Sequence, residues 1–144
     1  MYSLPLRKVL ESRALVTAQP DMPVQQAAKL MAAHAVGAVL VVDEECLVGI
    51  FTERDLAFRV VAAERDVHAT TLAEVMTPGP KTAGPDNSFG YALLLMHENG
   101  FRHVPVVENG RPIGVVSSRH ALDPDMEEFT AESHRREQIQ RQRT

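Results

Sequence analysis

The sequence lacks the features that mark secreted and membrane-spanning chains. Its 144 residues include one cysteine, Cys46, and no tryptophan. A lone cysteine forms no internal disulfide, which indicates a reducing compartment. No apolar run approaches the ~20 residues that cross a bilayer, and the N-terminus has no apolar stretch typical of a signal peptide. We therefore expect a cytoplasmic protein that does not enter a membrane.

A basic surface and catalytic motifs are missing as well. The 15 Lys and Arg residues are outnumbered by 19 Asp and Glu residues, which gives a net charge of -4, whereas nucleic-acid binding usually shows as a basic face. The sequence has no glycine-rich phosphate-binding motif, no nucleophile–base–acid set and no metal-ligand spacing among its six histidines. These absences predict that the chain is not an enzyme, holds no metal ion and does not bind nucleic acid.

What the sequence does contain is an internal repeat. Positions 17–56 align without a gap with positions 82–121. The matching residues include Thr17-Ala18 with Thr82-Ala83, Val41-Val42 with Val106-Val107, Gly49 with Gly114, and Arg54 with Arg119. So many identities in one register indicate two copies of one structural unit.

Each copy predicts the order helix, strand, strand, helix, preceded by a short strand. The first helix of each copy has apolar residues at helical spacing, and two β-branched runs around a polar turn predict the strands. The helix after Thr52 is predicted to bury one face, formed by Leu56, Val60 and Val61.

We therefore expect an α/β fold of the α+β type, in which two repeats stack by pseudo-two-fold symmetry. Each repeat is predicted to be a short three-stranded sheet with two helices. The predicted organisation is a first repeat over 1–62, a linker over 63–71, a second repeat over 72–123 and a polar C-terminal helix or tail over 124–144.

The junction between the second strand and the second helix of the first copy is the main candidate site. It spans residues 49–55 and includes Thr52 and Asp55. A helix start has unpaired N–H groups that attract anions, so these two side chains are candidates to hold a phosphate or the hydroxyls of a ribose. Thr-x-x-Asp is also a capping box, which needs no ligand. Stacking of the two copies would place both junctions in one cleft, where ligands usually bind.

The span from about residue 9 to residue 123 resembles a tandem pair of cystathionine-β-synthase-type (CBS) domains, a Bateman module. The junction 49–55 fits the family pattern of Gly, two apolar residues, Ser or Thr, two variable residues and Asp. The lead-in 75–78 and the segment 101–107 also match. The resemblance implies a regulatory homodimer that binds AMP, ADP or ATP, with S-adenosylmethionine and NAD as secondary candidates, and that acts on an unknown partner protein.

The resemblance also implies roles for individual residues. Asp55 would hold the ribose hydroxyls, and Thr52 would contact the ribose or a phosphate. Adenine would lie between Ala38 and Val39. The other candidates are Thr17, Ala18 and Met76 for the cleft and Arg102, His103, Arg119 and His120 for the phosphates.

The second copy departs from the family pattern, because His120 stands where the family has Asp. An imidazole does not accept two diol hydrogen bonds as a carboxylate does. We therefore predict one competent ribose site, at Asp55, and a second site that is weak or empty. The same change removes the acid of the second capping box. Two other functions stay open: a constitutive dimerisation or interaction scaffold with a vestigial cleft, and a small nucleotide-converting enzyme, which lacks a visible catalytic set.

Overall fold

The computed structural model describes residues 2–11 and 13–122, so the predicted tail over 124–144 lies outside the described residues. The first half contains helix α1 (Leu6–Val9), strand β1 (Thr17–Ala18), helix α2 (Val24–His34) and strands β2 (Ala38–Asp43) and β3 (Cys46–Thr52). Helix α3 (Glu53–Asp55) follows β3 directly and continues as a π-helical segment, Leu56–Val61.

The second half repeats this order. It contains helix α4 (Leu72–Val75), strand β4 (Thr77–Pro78), helix α5 (Phe89–Asn99), strands β5 (His103–Glu108) and β6 (Arg111–Ser117), and a 3₁₀ segment, Ser118–Leu122. Helices α2 and α5 both end at a left-handed residue, Ala35 and Gly100 respectively. This conformation satisfies the last helical carbonyls and turns the chain toward the next strand. The predicted repeat of secondary structure is therefore confirmed.

The two long strands of each sheet pair in the same register in both halves. Strands β2 and β3 are antiparallel with Ala38 opposite Thr52, and β5 and β6 are antiparallel with His103 opposite Ser117. The first sheet has the order β1-β2-β3-β4, whereas the second has only β5 and β6. The mixed α/β fold is confirmed, but the strand count differs from three per copy. The lead-in strand β4 joins the first sheet, and a single bridge at Ala83 replaces the third strand of the second.

Helices α1 and α4, which begin the two halves of the chain, each pack into the apolar core of the other half. Helix α4 packs through Leu72 and Val75 into the core of the first repeat. Helix α1 packs through Leu6 and Val9 into the core of the second repeat. Each core is thus completed by the segment that precedes the other copy. The packing of the two cores therefore crosses the predicted boundaries.

A third apolar cluster joins the two sheets. Ala38, Leu40 and Ile50 are buried in it, and Val115 of β6 packs against them. Successive strand residues point to opposite faces, so Ala38 faces the second repeat while Val39 is buried in the first core.

The buried face of the helix after Thr52 differs from the predicted face at one position. Val60 is fully buried, but Val61 is 64% exposed. Neighbouring helical positions lie roughly 100° apart around the axis, so the face that buries Val60 leaves Val61 in solvent.

Candidate functional site

The first strand–helix junction is closed by a capping box. The backbone N–H of Thr52 donates to Asp55 Oδ2 at 3.0 Å, and the backbone N–H of Asp55 donates to Thr52 Oγ1 at 3.2 Å. The Thr52 hydroxyl also donates to Oδ2, at 3.2 Å. The capping interpretation of the Thr-x-x-Asp motif is therefore confirmed.

The other carboxylate oxygen of Asp55 faces the lead-in to the second repeat. The Thr77 hydroxyl donates to Oδ1 at 3.4 Å, and Arg59 Nε lies 3.6 Å from the same oxygen. Arg59 also donates to the carbonyl of Met76 at 3.0 Å. Asp55 is only 7% exposed and lines a cavity, so its carboxylate is fixed from two sides where a ligand would meet it.

This first cavity lies between the repeats and has a volume of about 750 Å³. The first repeat contributes Thr52 and Asp55, and the second contributes Arg102 and His103 from the start of β5. The wall also includes Ile50, Glu53, Arg59, Thr77, Lys81 and Phe101. The cavity thus combines a buried carboxylate, several cations and apolar surface.

His103 lies between this cavity and a second one and lines both. A Cβ atom on Gly37 would lie 3.1 Å from His103 Nε2 and would collide with the Glu53 carboxylate, so these two side chains come together at Gly37. Burial is the main influence on the pKa of His103 and lowers it. The Glu53 carboxylate raises this pKa, and Arg119 and Arg102 lower it. The net shift favours the neutral imidazole.

The second junction uses an imidazole where the first uses a carboxylate. The backbone N–H of Ser117 donates to His120 Nδ1 at 3.0 Å, and the backbone N–H of Arg119 donates to Ser117 Oγ at 3.1 Å. His120 removes the acid of the capping box, but its imidazole nitrogen accepts this hydrogen bond as a carboxylate oxygen does. Acceptance by Nδ1 assigns the hydrogen of the neutral ring to Nε2.

The second cavity has a volume of about 390 Å³. It joins the second junction to the start of β2, just as the first cavity joins the first junction to the start of β5. The second junction contributes Ser117, Arg119 and His120, and the wall also includes Arg13, Val16, His34, Val36, Ala38, His103 and Val115.

The structure divides the predicted site residues into three groups. Lining the first cavity are Thr52, Asp55, Arg102 and His103. Lining the second are Ala38, Arg119 and His120, together with His103. Lining neither are Thr17, Ala18, Val39 and Met76.

Several placements therefore differ from those implied by the resemblance. Ala38 does not line the cavity of Asp55, because the start of each repeat's central strand faces the junction of the other repeat. Arg119 and His120 belong to the second junction and therefore line the second cavity. Val39 is fully buried, because it points to the opposite face of its strand from Ala38.

Met76, a predicted cleft residue, packs against Gly49 of the first sheet. A Cβ atom on Gly49 would collide with the thioether of Met76. The glycine therefore admits the lead-in side chain of the second repeat to the first sheet.

Sequence reasoning missed six charged or titratable wall residues, namely Glu53, Arg54, Arg59, Lys81, Arg13 and His34. Glu53 and Arg59 lie in or near the junction motif, so their proximity in the sequence was a usable signal. Lys81 and Arg13 precede the leading strands, where no local pattern marks them, and His34 satisfies the end of its helix.

The profile of the CBS domain family matches residues 7–62 and 72–125. The chain therefore belongs to the CBS domain family and consists of two CBS domains in tandem. CBS pairs are regulatory and signal-transduction modules, and the recognition of this class from the repeat and the junction motif is confirmed.

Among its relatives is the CBS domain-containing protein YhcV of Bacillus subtilis. The two are 36% identical over 103 residues, which cover 72% of this chain and 73% of that protein. The meiotically up-regulated gene 70 protein of Schizosaccharomyces pombe is 39% identical over 125 residues. This match covers 78% of the chain but only 17% of the yeast protein, so the chain corresponds to a small part of that relative.

Solved structures show the same fold. A protein with CBS domains from Burkholderia ambifaria is 35% identical, with a TM-score of 0.76 and coverage of 83% of this chain and 91% of that one. A CBS domain protein from Pyrobaculum aerophilum complexed with AMP is 25% identical, with a TM-score of 0.74 and coverage of 81% and 89%.

Within residues 2–11 and 13–122, no helix has the length and apolar character to cross a membrane. Over the same ranges, no three His, Cys, Asp or Glu side chains come together as a metal ion would require.

Proposed function

We propose that this CBS pair binds an adenosine-containing nucleotide in the first cavity and thereby regulates a partner protein. The observation that supports this most is the meeting of Thr52 and Asp55 from one repeat with Arg102 and His103 from the other. AMP in the related Pyrobaculum aerophilum protein supports the ligand class. AMP, ADP and ATP are the first candidates, and S-adenosylmethionine and NAD are the second.

The two oxygens of the Asp55 carboxylate have different tasks in this proposal. Oδ2 stays with the capping box, and Oδ1, now near Thr77 and Arg59, accepts hydrogen bonds from the ribose diol. A buried carboxylate that already has partners needs little reorganisation to bind a ligand.

The rest of the ligand is matched by the opposite wall of the cavity. Lys81 and Arg102 supply charge for phosphates, and Ile50 and Phe101 supply apolar surface for the adenine. Binding would therefore engage both repeats at once.

Regulation follows from this bridging geometry. A ligand shifts a conformational equilibrium only when it binds one arrangement better than another. Because the ligand contacts both repeats, its affinity depends on how the repeats are arranged. The proposal assigns the chain no catalytic step, and its output is a change in the surface offered to a separate partner protein.

We also propose that the chain forms a homodimer. Exposed apolar side chains on helical segments of both repeats support this, namely Phe58, Val61, Tyr91 and Leu94. Sedimentation of the wild type and of a Val61→Glu/Leu94→Glu variant tests it. A dimer that becomes monomeric in the variant is expected, and a wild-type monomer at micromolar concentration would contradict it.

The experiment for nucleotide binding is a calorimetric titration of the five candidate ligands into the wild type, Asp55→Asn and Glu74→Gln. Glu74 belongs to a second capping box, in which the Thr71 hydroxyl donates to Glu74 Oε1 at 3.1 Å, and it lines neither cavity. Glu74→Gln therefore controls for the change from carboxylate to amide in a cap. We expect Asp55→Asn to weaken binding at least about tenfold and Glu74→Gln to leave it unchanged.

The scaffold hypothesis is the second candidate, because the capping box accounts for three hydrogen bonds of the Thr52–Asp55 pair without a ligand. If none of the five ligands binds the wild type, the nucleotide proposal fails and the scaffold becomes the working hypothesis. Conversion of a ligand to product would point to an enzyme.

A further inference from the structure

We propose that Arg59 is a positioning residue that ties the Asp55 carboxylate to the segment connecting the two repeats, and that a ribose bound at Asp55 must break this tie. The competition with a ribose rests on the proposed function, whereas the tie is a property of the ligand-free chain. Arg59 lies on the π-helical segment, four residues after Asp55, so both side chains emerge on the same face of the helix.

One end of the tie is the carboxylate. Arg59 Nε lies 3.6 Å from Asp55 Oδ1, and the Thr77 hydroxyl donates to the same oxygen at 3.4 Å. The other oxygen, Oδ2, belongs to the cap. A carboxylate oxygen has about two acceptor positions, so Arg59 and Thr77 together occupy Oδ1 in the ligand-free protein.

The other end of the tie is the C-terminal end of α4. Arg59 Nη1 donates to the carbonyl of Met76 at 3.0 Å and to that of Val75 at 3.4 Å. The last carbonyls of a helix have no partner within it and attract cations. Strand β4 follows directly and pairs with β3, with Thr77 opposite Ile50. One guanidinium group therefore connects the buried carboxylate to the point where the chain leaves the first core.

A ribose diol would compete with this arrangement. In the proposed function its two hydroxyl groups donate to Asp55 Oδ1, and both acceptor positions of that oxygen are already used. The carboxylate stays where the cap holds it, and the Arg59 and Thr77 side chains move away. Their displacement costs part of the binding affinity. It also changes how α4 and β4 are held, so occupancy of the first cavity reaches the connection between the repeats.

The ligand-free test is amide hydrogen exchange of the full chain, followed by NMR. The reporting amides are those of Met76 and Gly79, whose hydrogen bonds hold the end of α4 and the exit from β4 in place. Arg59→Gln removes the tie, and Arg54→Gln is the matched control. Arg54 lines the same cavity, but its guanidinium carbon lies 5.1 Å from the centroid of the Phe58 ring, within the first repeat.

We expect both amides to exchange at least about fivefold faster in Arg59→Gln and within about twofold of the wild type in Arg54→Gln. Adding Asp55→Asn to Arg59→Gln should change the rates by less than about twofold, because the two residues act through one contact and the Asn oxygen still accepts from Thr77. Arg59→Lys is the second variant. It keeps the charge but lacks the planar fork that spans the carboxylate and the carbonyls, so a smaller increase is expected.

The competition is tested by calorimetric titration of adenosine, which has the ribose diol but no phosphate that would itself attract Arg59. Arg59→Gln should bind adenosine at least about threefold more tightly than the wild type, because it removes a competitor of the diol. Arg111→Gln is the control for binding and should stay within about twofold of the wild type. Arg111 forms an ion pair with Glu45 and lines neither cavity. Equal or weaker binding of adenosine to Arg59→Gln would overturn the competition.

The tie itself is overturned if exchange at Met76 and Gly79 is unchanged in Arg59→Gln, or if Arg54→Gln accelerates it equally. A further multiplicative effect of Asp55→Asn would also overturn it, since Arg59 would then act without Asp55. If the wild type binds neither adenosine nor AMP, the proposed function fails and the competition fails with it, while the exchange rates still decide the tie. Arg59→Lys takes the place of Arg59→Gln if the latter does not fold.

Discussion

The two strand–helix junctions of this protein pair the backbone N–H that precedes the helical segment with different side chains. At Thr52 the backbone N–H donates to the carboxylate of Asp55, and at Ser117 the backbone N–H donates to the imidazole of His120. The sheet register leading into the two junctions is the same. The comparison shows that either acceptor can cap the junction, and that a neutral imidazole stands where the first junction presents a negative carboxylate to its cavity.

The two cavities differ accordingly. The first contains two carboxylates among its cations, whereas the described wall of the second contains basic and apolar groups without a carboxylate. A symmetric arrangement of backbone therefore does not give two equivalent sites, because the site chemistry is set by side chains that the repeat does not share.

The largest expected effect is a difference between the two caps in their contribution to the free energy of unfolding. Asp55→Ala should lower the free energy of unfolding by about 2–3 kcal/mol, because it removes several hydrogen bonds to a buried carboxylate and leaves the N–H of Thr52 unpaired. His120→Ala should cost about 1 kcal/mol, the usual value for one lost cap. Urea denaturation of both variants measures the difference, and equal losses would refute the ranking.

A second effect concerns equivalent glycines on the two sheets. A Cβ on Gly114 would lie 2.7 Å and 2.8 Å from the two Leu10 methyl carbons, whereas a Cβ on Gly49 would meet the flexible thioether of Met76. Gly114→Ala should therefore cost about 2 kcal/mol and Gly49→Ala about 1 kcal/mol. Thermal unfolding should show a larger drop in Tm for Gly114→Ala, and the reverse order would mean that Leu10 moves more easily than Met76.

A third change should make the two cavities alike. His120→Asp restores a carboxylate to the second junction, so we expect AMP to gain at least about tenfold affinity there, equivalent to about 1.4 kcal/mol. Calorimetric stoichiometry should rise from one AMP per chain toward two. A stoichiometry that stays at one would show that the second cavity excludes nucleosides for a reason other than the missing carboxylate.

The smallest effect is a change in the pH dependence of stability. Because the pKa of His103 is lowered in the folded protein, chiefly by burial, the unfolded chain binds more protons between the folded pKa and the ordinary value of about 6.5. Stability is therefore lost as the pH falls through this window. His103→Gln should make that loss shallower when urea midpoints are compared between about pH 7.5 and about pH 5.5.

A companion variant tests whether Glu53 raises or lowers the pKa of His103. Glu53 raises the pKa of His103, so Glu53→Gln should extend the loss of stability to lower pH. Superimposable pH profiles for the wild type and His103→Gln would contradict this account of the histidine.

The sequence predicted the repeated secondary structure and the main junction well, because both depend on short-range patterns. Helix faces recur every three or four residues, and the Thr52–Asp55 cap joins residues within one turn. At His120 the sequence marked the absence of the capping-box acid but not its replacement, because any well-placed acceptor can receive the backbone hydrogen bond. The family resemblance placed Ala38 beside the ligand held by Asp55, whereas in the structure Ala38 lines the second cavity.

By itself, the sequence determined that two copies of one unit are present, where the helix after Thr52 begins and which junction has the acid. The tertiary structure alone decided that α1 completes the second core and α4 the first. It also decided that Arg102 and His103 meet Asp55, while Arg13 and His34 meet His120. The physical reason is the range of the forces involved. Caps and helix faces form between residues a few positions apart, whereas the cavities exist only once apolar burial has stacked one sheet on the other.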